Sequence, residues 1–409
     1  MNDLILMTIA VVLLLLGSVV SYRYPRAGFF SAVAAVMTAF FACASPEYGI
    51  FILLIGILNL ISLDAIRSKI RGIDYGLVGF MVIVTMYIFN TAELSLVLAS
   101  FVLVSVPTYI LVMMREDEMD VEVGVKYIVF MVIATVLFLT GAIILAKGIE
   151  SLYVLGYVAL ILGLALELGI APLHEWVPDI FARADPVPLS IIASIAKIVP
   201  FVVAFRILYS TATELTGAVM VFTALLAATS MFIGNIGALT SREHGRVLGY
   251  STVANMGYLM SSLLAVTEPE FLPLALAGGL LLLFSNACGK IGFFSAMKGE
   301  DAYSPFTYML SFSFLGVPPL IGFWGKLFIA ITLIRIEYVW LAVILLINSA
   351  VSIPYYLRLA KELGKAWHTS LTGFIVLASV LITLLTIAPN WFVDGIEALM
   401  PLILIEMGG

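Results

Sequence analysis

Uninterrupted apolar runs alternate with short polar connections along this chain, and the runs recur from Leu4 to Ile387. A helix needs about 20 residues to cross a bilayer, so the pattern predicts roughly fourteen spans. The expected helices cover about 3–21, 28–44, 49–66, 74–90, 94–114, 123–146, 152–171, 187–209, 215–239, 246–266, 271–297, 306–334, 338–360 and 370–388. No linker, low-complexity run or composition shift divides 1–409, which predicts one all-α polytopic membrane domain. The first run lacks a basic leader and a small-residue cleavage site and reads as a retained helix. The last segment, 390–406, is interrupted by Pro401 and by acids, and predicts an amphipathic helix on the outer surface.

Composition agrees. The 409 residues are 63% hydrophobic and 11% charged, with a mean hydropathy of +1.16, too little polar surface to clothe a water-soluble globule. The net charge of −6 is less informative than where the basic residues fall. Arg23, Arg26, Arg67, Lys69, Arg71, Arg115, Lys126, Arg183, Arg242, Arg246, Lys298, Arg358, Lys361 and Lys365 occupy alternate connections, and the opposite connections hold only Lys147, Arg206 and Arg335. The asymmetry places the first set in the cytoplasm and both termini outside the cell membrane. Cys43 and Cys288 are isolated in apolar runs, which excludes an iron–sulfur cluster or disulfide framework. Haem ligand pairs, a nucleotide loop and a zinc-binding helix motif are also missing, so no cofactor or metal is expected and any redox chemistry belongs to a partner.

Against this background four ionisable residues stand inside spans: Glu167, Lys197, Lys290 and Lys326. A charge at the bilayer centre costs roughly 2.5–3.5 kcal/mol on insertion scales, and several at matching depth suggest a proton or ion path. The alternative is that each is a buried pair or a side chain snorkelling to the headgroups. Two helix breaks lie close to these charges. Leu168-Gly-Ile-Ala-Pro-Leu173, followed by His174 and Trp176, reappears as Leu315-Gly-Val-Pro-Pro-Leu320, followed by Trp324. Pro172, Pro318 and Pro319 remove backbone donors and clash with the preceding turn, so each segment should unwind and free main-chain groups. Interrupted helices at corresponding places in two halves predict an internal repeat with the ion path at the breaks.

These segments resemble the antiporter-like subunits of respiratory complex I, a family shared with membrane-bound hydrogenases and Mrp-type cation/proton antiporters. The similarity runs from about Asp74 to Ala360 and rests on PLHEWVPDIFARADPVPLSIIASIAKI, GRVLGYSTVANMGYLM, LGVPPLIGFWGKL and NSAVSIPYYLRLA, in that order. It implies fourteen helices with two inverted five-helix repeats, about 74–209 and 215–360, whose helices 7 and 12 are broken. It also makes Lys197 the relay lysine of the eighth helix, Lys290 the basic group of the eleventh, Lys326 the lysine nearest the outer exit, and matches His174 to the histidine after the first break.

The chain departs from the family pattern in one buried pair. Val102 stands where the fifth-helix glutamate is usual, and Glu167 replaces the seventh-helix lysine. Both members have changed together, as expected when the loss of one charge would strand the other. Glu167 and Lys197 are therefore expected to pair directly. The resemblance implies a proton- or sodium-translocating subunit of a redox-driven complex, with other membrane subunits and iron–sulfur subunits as partners and no nucleic acid. A secondary cation/proton antiporter without a redox partner and a non-conducting structural spacer are the alternatives.

Overall fold

The computed structural model describes residues 2–65, 72–115, 118–299, 303–364, 371–385 and 387–406. Of the basic residues assigned to connections, Arg67, Lys69, Arg71 and Lys365 lie outside the described residues. The described chain is helical apart from a hairpin of Met114–Arg115 with Glu118–Met119 and a bridge between Glu93 and Glu406. In order the helices are α1 (Asn2–Ser21), α2 (Pro25–Phe40), α3 (Pro46–Ser62), α4 (Ile73–Tyr87), α5 (Leu94–Leu111), α6 (Val121–Ala146), α7 (Tyr153–Leu168), α8 (Trp176–Arg183), α9 (Pro186–Ala193) and α10 (Ile198–Ser210). There follow α11 (Thr216–Thr240), α12 (His244–Ser262), α13 (Leu272–Lys298), α14 (Ser304–Leu315), α15 (Ile321–Arg335), α16 (Val339–Val351), α17 (Ile353–Leu363), α18 (Leu371–Thr383) and α19 (Asn390–Ile403).

Among the described residues nine helices are long and apolar enough to cross a membrane, and the segments 25–40, 73–87 and 371–383 are shorter apolar helices. The nine fall short of the fourteen expected spans for local reasons. The expected 28–44, 74–90 and 370–388 shorten to these three helices, 246–266 carries the polar residues of α12, and 306–334 divides into α14 and α15.

Packing inverts the pattern of a water-soluble protein. Val125, Val129, Val132, Val136 and Ile143 of α6 are exposed, at spacings that form one helix face, while Lys197, Lys290 and Lys326 are buried. Such an apolar exterior over an interior that holds buried charges is stable against hydrocarbon and unstable against water. This is an integral, multi-pass membrane protein. Residues 187–208 are all buried at the centre, and α13 packs against α3, α9, α12, α14, α15, α18 and α19. Helices α6 and α7 approach as closely as backbones allow, since a Cβ on Gly141 would lie 2.3 Å from Leu160 N and one on Gly163 would lie 2.4 Å from Phe138 N.

The C-terminal helix is amphipathic as expected, with Phe392, Ile396, Leu399 and Ile403 buried along one stripe. Arg206, expected on a connection, is instead fully buried within α10. Its guanidinium donates to Ile88 O (2.5 Å), Thr91 O (2.7 Å), Leu402 O (2.9 Å) and Ile403 O (3.0 Å), tying the C-terminal segment to the end of α4.

Candidate functional site

Two helix ends share one local geometry. Helix α7 stops at Leu168 because Gly169 turns left-handed, at φ 80° and ψ 47°, and α14 stops at Leu315 because Gly316 does the same, at φ 82° and ψ 47°. In each, the first two amides beyond the helix fold back on one carbonyl. Gly169 and Ile170 donate to Ala165 O, and Gly316 and Val317 donate to Phe312 O. A cis peptide follows in both, at Ala171–Pro172 and Pro318–Pro319, before the chain turns helical again at Trp176 and Ile321.

A helix C-terminus leaves its last carbonyls without partners and carries partial negative charge. Lysine ammonium groups fill that need at both ends. Lys197 Nζ donates to Leu168 O (2.9 Å) and Glu167 O (3.4 Å), and Lys326 Nζ donates to Phe314 O (2.7 Å) and Leu315 O (3.5 Å). Aligned on the two glycines, these are the same two carbonyls. Lys197 reaches them from the turn between α9 and α10, whereas Lys326 reaches them from α15, just beyond its own break. Each ammonium also faces an aromatic ring, Trp176 at 5.5 Å for Lys197 and Tyr258 at 4.9 Å for Lys326. Ser349 Oγ completes the second cluster at 2.5 Å. Lys290 is built similarly: it donates to Leu248 O (2.5 Å) and to Ser251 Oγ, with the Phe314 ring at 5.4 Å.

Glu167 and Lys197 are neighbours without forming the direct ion pair expected of them. The ammonium bonds the main-chain oxygen of Glu167, while the carboxylate Oε1 accepts from Ser105 Oγ at 2.6 Å. Its Oε2 is buried with no hydrogen-bond partner among the described residues. The physical reason is the helix end itself, whose unpaired carbonyls compete for the ammonium and win on position.

Lys197 also sits on an interruption that the sequence did not suggest. The expected helix 187–209 divides at Ser194 (φ −109°, ψ −92°), and Lys197 closes a 3₁₀ turn between α9 and α10. Ser194 Oγ accepts from Asn59 Nδ2 at 2.9 Å, and the freed Ala193 O accepts from Asn286 Nδ2 at 2.9 Å. Asn286 lies one turn before Lys290 on α13, so α13 joins the two lysine sites. From Lys290 the polar line continues through Ser251 and Asn255 to Tyr356, then through Tyr355 to Asn235, which bonds Tyr258 and Asn348 beside Lys326.

The transmembrane model of the NADH:quinone oxidoreductase/Mrp antiporter family matches residues 91–352, which contain all of these groups except Asn59, Tyr355 and Tyr356. NADH-quinone oxidoreductase subunit N of Neisseria gonorrhoeae is 30% identical over 379 residues, covering 80% of this chain and 78% of that one. The chain belongs to this family. Subunit N of Laribacter hongkongensis is 29% identical over 320 residues, and the match spans 70% of this chain and 65% of that relative. In fold, the chain is similar to a chain of the archaeal membrane-bound sulfane sulfur reductase, with a TM-score of 0.82 at 16% identity over 99% of this chain and 98% of that one.

Val102 packs against the core, and one turn further along α5 Ser105 supplies the hydroxyl that holds Glu167. His174 lies apart from the buried line. It is partly exposed after the first break, with Nδ1 3.3 Å from Pro172 O and its ring 6.1 Å from Tyr250. Pro172, Pro318 and Pro319 are themselves exposed, so both breaks reach the protein surface. Sequence reasoning passed over Ser105, Ser194, Ser349 and the buried asparagines Asn59, Asn235, Asn255, Asn286 and Asn348. Their signal was available, since an amide inside an apolar span must find a partner across a helix interface.

Proposed function

We propose that this chain is a proton- or sodium-translocating, antiporter-like subunit of a multi-subunit, redox-driven membrane complex. The observation that carries the reading is the buried line from Glu167 through Lys197 and Lys290 to Lys326, with both ends resting on the carbonyls of interrupted helices. Ionisable groups at membrane depth are expensive unless they serve a path, and this family supplies such paths. Protons enter from the cytoplasm near the first break and His174, pass the lysines, and leave outward near Lys326. The redox centre and iron–sulfur subunits belong to partners, as the names of the family's NADH-quinone oxidoreductase members suggest.

The finer architecture belongs to the same proposal. It has fourteen spans, both termini on the outer side of the cytoplasmic membrane, and inverted repeats at about 74–209 and 215–360 with helices 7 and 12 broken. The matched ends of α7 and α14 support it. The Mrp branch of the family favours a second reading, a cation/proton antiporter with no redox partner. The unpaired oxygen of Glu167 and the missing fifth-helix carboxylate favour a third, a spacer that does not conduct.

Lys326→Ala decides between conduction and spacing. In sealed vesicles holding the purified complex, the variant should lose coupled ion movement while assembly and electron transfer in the partners persist. Normal pumping by the variant refutes translocation through this chain, and a chain active without other subunits refutes the complex.

A further inference from the structure

The two lysine sites are built as receptors for an ammonium ion. At the second break, Phe314 O (2.7 Å), Leu315 O (3.5 Å) and Ser349 Oγ (2.5 Å) converge on one point, and the face of Tyr258 closes it at 4.9 Å. The oxygens hold position without the lysine. Leu315 O accepts a further bond from Ser349 Oγ at 3.3 Å, and Ser349 follows Asn348, whose amide is fixed by Ile344 O and Asn235. The helix end contributes negative potential, and no carboxylate is among the partners of this ammonium. The 2.7 Å spacing to Phe314 O is that of a charge-assisted N–H donor bond. The aromatic wall also favours a weakly hydrated ammonium.

We infer that the carbonyl–hydroxyl–aromatic cluster at the end of α14 is a binding site for small primary ammonium ions, with the Lys326 head group as its tethered occupant. A free alkylammonium enters once the tether is removed. The cluster at the end of α7, with Leu168 O, Glu167 O and the Trp176 ring, is a two-oxygen version of the same site.

The matching probe follows from covalent structure. Lys326→Ala deletes three methylenes and the ammonium, which n-propylammonium replaces. In the solubilised complex, n-propylammonium should raise the unfolding midpoint of Lys326→Ala in a concentration-dependent way, as for any ligand that binds only the folded state. Tetramethylammonium, which has no N–H, should not. Lys326→Met fills the space of the stem and should not respond, which controls for general effects of amines. The absence of a midpoint rise in Lys326→Ala, or an equal rise in Lys326→Met, overturns the inference. Only the transport arm rests on the translocation reading: in vesicles n-propylammonium should raise coupled ion movement of Lys326→Ala roughly tenfold or more over the amine-free variant, the scale of one charge-assisted hydrogen bond. If Lys326→Ala pumps normally without amine, the translocation reading fails, and the midpoint measurement still decides the site.

Discussion

Replacing Arg206 by Met keeps an apolar stem and removes the guanidinium that fastens the C-terminal segment. Four carbonyls lie within 3.0 Å of that guanidinium: Ile88 O and Thr91 O beyond α4, and Leu402 O and Ile403 O at the end of α19. A hydrogen bond to a charged group contributes about 1.5–3 kcal/mol, so the gross loss is about 6–12 kcal/mol. Much of this is offset, because burying the guanidinium costs several kcal/mol and water can reach carbonyls released at the surface. A net loss of about 3–4 kcal/mol remains for detaching the segment. The other polar fastenings are two main-chain donors, from Glu406 to Ala92 O and from Ile405 to Ser210 Oγ, and the apolar stripe of α19 is packed in both variants. A reporter cysteine at Ile403, which is fully buried, measures the opening in a background with Cys43 and Cys288 replaced by serine. Every 1.4 kcal/mol is tenfold in the open population, so the rate of labelling by an impermeant maleimide should rise about 10²- to 10³-fold in Arg206→Met, and only from the outer side. A rate unchanged within about threefold refutes the clamp, and labelling from the cytoplasmic side refutes the topology.

Gly322→Ala should separate the two halves of the second break, because a Cβ there would lie 1.9 Å from Ser313 O and 2.7 Å from Ser285 Oγ; an overpacking cost of about 1–3 kcal/mol or more and impaired pumping with Lys326 intact are expected, and a wild-type midpoint and rate would contradict this. On α8, which is not one of the nine membrane-length helices, Asp179 accepts from Lys126 of α6 and lies 3.6 Å from Arg183, so its carboxyl is held below the usual carboxylate range, first by the Lys126 bond. Its stabilising contribution is full above the ordinary aspartate value of about 3.9 and is lost as pH falls through the lower folded value; the midpoint difference between wild type and Asp179→Asn should therefore be present at pH 7, begin to shrink near about pH 4 and vanish only below the folded value, and a difference that grows in acid would reverse the sign of the argument. Ser349→Asp should stop pumping more completely than Ser349→Ala, with assembly intact in both, and equal rates in the two variants would show that a carboxylate beside Lys326 has no effect.

The apolar runs made the membrane class and much of the order of helices legible, because span length is a local property of the chain. The partners of the buried charges were not legible. Pairing Glu167 with Lys197 followed from charge alone, but the carbonyls exposed by Gly169 have no letter in the sequence, and they hold the ammonium instead. The interruption at Ser194 was hidden for the same reason. Nothing in SIIASIAKIV breaks a helix by propensity, and the bend depends on Asn59, 135 residues away. Arg206 was misplaced because a basic residue near the end of a span reads as a snorkelling group unless the fold brings carbonyls to it.

The preference for carbonyls over carboxylates at these lysines has a consequence for conduction. An ammonium paired with a buried carboxylate cannot give up its proton without stranding the opposite charge, at a cost of about 3–5 kcal/mol. An ammonium resting on helix-end carbonyls strands only dipoles, about 1–3 kcal/mol for each unsatisfied group, and a single water molecule can bridge two of them. Lys326, with two carbonyls and one hydroxyl, can therefore change protonation state while its surroundings stay nearly the same. Glu167 is the contrasting case, a carboxylate with one hydroxyl partner and one bare oxygen, placed where the next ammonium faces away onto the main chain. The first site thus sets a carboxylate beside a carbonyl-bound ammonium, whereas the ammonium of the second rests on two carbonyls and a hydroxyl.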